Sequence, residues 1–165
     1  MIAAVRFNHL FIIIMRNTII QFIILVLLTA GTSFAQKPSC AGQGVFRAQD
    51  SLRRYCDWPV INKFYRLYKT CDNVYVTEAF SSAIVKSLSD HWDSLPELQR
   101  MVSADSTFLD FVLRHIDATA DAGYLKKILA NSKKCPQGYE NMCGRIRKIT
   151  SAALAAAAEL MDEQK

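Results

Sequence analysis

The first 35 residues contain no acidic side chain, although the rest of the chain holds 15 of them. Within this stretch Arg16 follows Met15. An apolar run from Ile19 to Ala30 comes next, broken only by Gln21 and Thr29. Ser33-Phe34-Ala35 then sets small residues at the −3 and −1 positions of a cut between Ala35 and Gln36. A basic start, an apolar middle and a small-residue exit are the anatomy of a secretory signal peptide. The competing reading is a retained membrane anchor, which needs about 20 apolar residues. The uninterrupted run is shorter, and Arg16-Asn17 divides it from the upstream Phe11 to Ile14. Residues 1–35 are therefore read as a cleaved leader. Met15 is the candidate true start, because Met15-Arg16 already forms a complete basic region. The Lys37-Pro38-Ser39 before Cys40 lacks the small apolar context of a lipidation site.

Other absences narrow the chemistry. After the leader there are two histidines, His91 and His115, and no C-x-x-C, H-E-x-x-H, G-x-S-x-G or phosphate-loop motif. Finger-type zinc sites, thiol redox pairs, haem attachment through C-x-x-C-H and the common hydrolase elbow all lack their residues. The carboxylates are scattered as helix caps and helix surface, so no acid–base pair stands out. No catalytic, cofactor-binding or metal-binding residue is nominated, and no cofactor is expected. Charge is mild too. Two of the 20 Lys and Arg, Arg6 and Arg16, lie in the leader, leaving 18 against 15 acidic residues, a net +3. That balance gives no reason to expect nucleic acid as a partner.

Sustained alternation of apolar and polar residues is also missing, so no strand is expected. No repeat of 20 to 50 residues is visible. What remains is helical spacing almost throughout. Residues 36–49, with Pro38, Gly42 and Gly44, read as a flexible arm, and 50–165 as a single all-α domain of about five to six helices. A short helix is expected over Gln49 to Cys56. Asp57 before Pro59 marks the next start, with Ile61, Phe64, Tyr65 and Tyr68 on one face. Val76, Phe80, Ala83, Ile84 and Leu88 form the stripe of a helix ending near Trp92. Shorter helices follow at Asp93 or Ser94, at Asp105 and at Asp121, and a long one runs from Tyr139 to Glu163. Asp110, Arg114, Asp117 and Asp121 are spaced as a charge ladder on an exposed face.

Five cysteines follow the leader, and an exported chain turns cysteines into disulfides. In CPQGYENMC, Pro136 and Gly138 permit a tight reversal, so Cys135 and Cys143 are expected to form a local bridge at the start of the last helix. For Cys56 with Cys71, an intervening helix over 59–70 would separate the ends by roughly 18 Å, beyond the ~7 Å reach of a disulfide. Cys40 with Cys56 stays open, and so does the connectivity of the three. An odd fifth thiol is left free or bridges to a second chain. One or two disulfides therefore staple the domain.

The stretch Phe64, Tyr65, Arg66, Tyr68 and Lys69 is the candidate interface, aromatic and basic as protein-binding surfaces often are. The resulting expectation is a small exported, non-enzymatic binding protein of a bacterial cell envelope, periplasmic or extracellular. It would be of the immunity or inhibitor kind, or a secretion accessory factor. Its partner would be another envelope or secreted protein, and it would meet the membrane only through its leader during export. Two alternatives stand beside it: a small-ligand or metal carrier, and an enzyme with an unpatterned site near His115, Asp117, Tyr139 and Glu140. The intact mass of protein recovered from the producing cells should correspond to a chain starting at Gln36; a mass that retains residues 1–35 overturns the export reading.

Overall fold

A computed structural model describes residues 40–71 and 74–162, so the leader and the cut at Ala35–Gln36 lie outside the described residues. Among these residues there are seven α-helices and no strand: α1 (Gln43–Tyr55), α2 (Trp58–Tyr68), α3 (Val74–Asp90), α4 (Leu95–Ala104), α5 (Thr107–Arg114), α6 (Ala122–Ser132) and α7 (Glu140–Asp162). A 3₁₀ turn, Trp92–Ser94, joins α3 to α4. No helix among the described residues is long and apolar enough to cross a membrane.

Local chemistry starts the helices where the sequence signals them. The Val60 N–H donates to Asp57 Oδ1 at 2.8 Å, and Pro59 occupies the first turn of α2, where a missing N–H costs nothing. Asp121 Oδ1 accepts from Gly123 and Tyr124 N–H at the start of α6. Asp105 Oδ1 accepts from Thr107 N–H just before α5. These carboxylates satisfy backbone donors that the first helical turn leaves unpaired.

α3 is the hub of the bundle, packing against α1, α2 and α6, while α6 lies along α7. The expected α3 stripe of Val76, Phe80, Ala83, Ile84 and Leu88 is buried throughout. It meets Leu52 of α1, Trp58 and Ile61 of α2, and Leu125 and Ile128 of α6 in one continuous core. Each large apolar side chain so enclosed contributes about 1.5–3 kcal/mol.

Two expectations need correction. Residues 43–49 of the expected arm are helical: α1 begins at Gln43, six residues before the expected start at Gln49. Val45, Ala48 and Leu52 share its buried face, a helical spacing that the nearby glycines obscured. Gly42, at φ 93°, is the left-handed residue that lets the chain turn into α1. Gly44 is needed for a different reason, because a Cβ there would lie 2.8 Å from the Tyr68 hydroxyl. Second, the charge ladder is not one face. α5 stops at Arg114, Asp110 reaches across to Arg145 of α7, and Asp117 folds onto Thr119. Leu160 and Met161, near the end of α7, are exposed. From Leu154 to Asp162 no side chain of α7 is buried.

The Cys135–Cys143 bridge forms as expected, with Cα atoms 6.0 Å apart. The second bridge joins Cys40 to Cys71 at 5.3 Å, and Cys56 is a buried free thiol. The hairpin of α1 and α2 explains this connectivity. α1 has 13 residues and therefore spans about 20 Å, which separates Cys40 from Cys56. α2 returns over the same distance and brings residue 71 back beside residue 40. Cys56 marks the reversal, in the left-handed region at φ 45°. Its thiol donates to Leu52 O at 3.2 Å, and Ser87 Oγ donates to its carbonyl at 2.8 Å. Burial raises the thiol's pKa and so disfavours the thiolate that alkylation or exchange would require.

Closing the 31-residue separation between Cys40 and Cys71 restricts the unfolded chain by about 3–4 kcal/mol. Replacing both by serine should lower unfolding stability in denaturant by about 3 kcal/mol. An unchanged midpoint would show that the bridge does not constrain the fold.

Candidate binding groove

The end of α2, the first half of α3 and the end of α5 enclose a groove of about 330 Å³. Its aromatic wall begins in the core. Phe80 of α3 meets Phe111 of α5 edge to face, with ring centres 4.9 Å apart. The ring of His115 leans on Phe111 at 4.2 Å. Tyr68, Lys69, Thr70 and Cys71 line the side formed by α2, and Thr77 that formed by α3. Arg114 lines the side formed by α5.

His115 follows the last residue of α5 and is 8% exposed. Its Nδ1 lies 2.8 Å from the Phe111 carbonyl, which can only accept, so Nδ1 carries the proton. Burial pushes the imidazole below its ordinary range. The Phe111 carbonyl opposes that shift, Arg114 adds to it, and Asp117 opposes it. The ring is therefore a neutral imidazole whose Nε2 offers a lone pair. Among the described residues, Asn62 Nδ2 is the one fully buried side-chain polar atom without a partner. Nε2 of His115 is thus not sealed in, and the groove is the space its side chain lines.

The two cations differ. Lys69 Nζ lies 3.3 Å from the Tyr65 hydroxyl, 3.7 Å from Asp105 Oδ2 and 4.7 Å above the Tyr65 ring. The Tyr65 hydrogen bond, helped by Asp105, raises its pKa. Arg114 is exposed and enters no ion pair among the described residues. The groove thus has one compensated and one uncompensated cation.

The expected interface stretch divides here. Tyr65 and Tyr68 are buried at 2% and 6% exposure, so their rings belong to the core and not to a surface patch. Alternation around a helix forces this, since the face carrying Ile61, Tyr65 and Tyr68 points inward. Phe64 is half-buried and stacks on Tyr68, while Arg66 and Lys69 are exposed. The groove joins Tyr68 and Lys69 of that stretch to His115. It does not recruit the other residues placed near His115 by sequence. Asp117 Oδ1 accepts from Thr119, Glu140 Oε1 accepts from Gly138 N–H, and neither these carboxylates nor Tyr139 lines the groove. Sequence reasoning missed Phe80, Phe111 and Arg114 as groove residues. Their helical spacing signalled core and surface, with no sign that the two met at one opening.

Among the described residues no cluster of three or more His, Cys, Asp or Glu is placed to hold a metal ion. The chain matches no protein-family model, no curated protein and no solved structure.

In an NMR titration His115 should show a midpoint below the ~6.5 of an unperturbed imidazole. The unfolded chain then holds a proton that the folded chain sheds. The contribution of this residue to stability is full above about pH 6.5 and is lost as pH falls from there through the folded midpoint. A midpoint at or above 6.5 would mean that burial does not disfavour the charged ring.

Proposed function

We propose that this chain is a small exported, non-enzymatic binding protein of a bacterial cell envelope, of the immunity, inhibitor or secretion-accessory kind, and that it meets a protein partner at the groove between α2, α3 and α5. The supporting observation is the makeup of that surface. An aromatic wall is flanked by the uncompensated Arg114, with Arg66 and the 42%-exposed Leu67 on the outer side of α2. Exposed arginine is enriched at protein interfaces and is a common anchor there.

Two further observations agree. Asp57, Asp105, Asp117, Asp121 and Glu140 all accept backbone N–H groups, so these carboxylates are engaged in shaping turns and helix starts. The two disulfides suit an oxidising compartment.

The test is affinity capture with chemical crosslinking from an envelope extract of the producing cells. The native disulfide-bonded chain is compared with an Arg66→Glu/Arg114→Glu variant. Both arginines are exposed, so the variant should fold. A protein enriched by the native chain and lost with the variant is expected. Capture of the same proteins by both, or of none by either, counts against a partner at this surface.

A further inference from the structure

We propose that the groove captures the carboxylate end of an amino-acid unit, with the carboxylate on Arg114 and the adjoining N–H donating to Nε2 of His115. The inference rests on the reading of this groove as the binding surface and specifies what it recognises.

Three features of the groove select this chemistry together. The first is charge. Asp105 sits near Lys69, and Asp110 is taken by Arg145, which leaves Arg114 as the cation without a counter-charge. A guanidinium at the edge of an apolar wall fits a planar carboxylate through two parallel N–H donors. The second is hydrogen-bond polarity. Because the Phe111 carbonyl fixes the proton on Nδ1, Nε2 can only accept. A ligand made of acceptors alone would leave it unpaired, whereas an amide N–H next to the carboxylate satisfies it. The third is size and surface. A volume of about 330 Å³ is at the low end of the ~300–1,000 Å³ typical of ligand pockets, room for about one residue. The buried Phe80 and Phe111 rings close its floor, at 1% and 4% exposure. The hydroxyls of Thr70 and Thr77 can donate or accept alongside.

The shared chemistry has two sources: the last residue of a polypeptide, or a free acylated amino acid. Binding is read from the His115 ring resonances and from titration curves of the full disulfide-bonded domain. The probes are N-acetyl-phenylalanine, its carboxamide, its N-methyl analogue, and a pentapeptide ending in phenylalanine as acid and as amide. The acids should bind and shift the His115 resonances. Each amide should bind at least roughly tenfold more weakly, since a charge-assisted pair is lost. N-methylation, which removes the donor to Nε2 without altering the protein, should weaken binding as well. In Arg114→Gln the preference for acid over amide should disappear. Binding of the pentapeptide acid alone assigns the site to chain ends, and equal binding of the single residue assigns it to free acyl amino acids.

The proposal is overturned if acid and amide bind alike, or if neither shifts His115 at millimolar concentration. The two readings fail separately. A partner lost with Arg66→Glu/Arg114→Glu but no acid preference keeps the interface and removes this recognition mode. Acid preference without a captured partner does the reverse.

Discussion

Tyr65 stands between Phe108 and Phe111, with each ring centre 4.8 Å from its own. Its hydroxyl reaches the Asp105 carboxylate at 3.0 Å and the Thr107 hydroxyl at 2.7 Å. One side chain of α2 thereby fixes both the start and the body of α5. A buried tyrosine must place its hydroxyl as well as its ring, so this contact sets the rotation and the depth of α5 together. The positions of Phe111, Arg114 and His115 follow from it. The groove exists because α5 is held with these residues facing Phe80 and the end of α2. Asp105 joins the two roles: it receives Thr107 at the helix start and Tyr65 from the core. Its carboxyl is held below the usual range, first by Thr107 and also by Tyr65 and Lys69.

Covalent bonds secure the bundle at two of its helix ends. Cys40–Cys71 closes the open end of the α1–α2 hairpin, and Cys135–Cys143 fixes the approach to α7. At the closed end of the hairpin, a left-handed cysteine is retained by hydrogen bonds through its thiol and its carbonyl. A non-glycine residue in that region costs on the order of 1 kcal/mol or more. Burial of the thiol and the bond from Ser87 offset that cost. The same burial withholds the odd thiol from exchange with the two bridges.

The carboxylates show how a modest inventory of charge can be absorbed by architecture. Asp57, Asp105 and Asp121 sit where helices begin and Asp117 where the chain turns, and Glu140 folds back onto the turn before α7. Lys127 with Asp90 and Arg145 with Asp110 tie neighbouring elements across the surface, where such pairs contribute little each. Arg114 enters none of these pairs and lines the groove.

The features legible in the sequence are the ones that local interactions decide. The helical class, the α3 stripe, the caps at Asp57 and Asp121 and the Cys135–Cys143 clip each depend on residues within a few positions of one another. Spacing alone therefore specifies them. Distance in sequence hid the rest. The Cys40–Cys71 pairing becomes apparent only once 43–55 is known to be helical, because a straight α1 followed by a returning α2 carries Cys56 away and brings Cys71 back. The stretch around Tyr65 was legible as aromatic and basic, but which rings face inward depends on what α2 packs against. The groove is a property of three helices meeting. Tyr68, Phe80 and His115 carry no common pattern along the chain, and their side chains converge only because the Tyr65 contact sets α5 against α2.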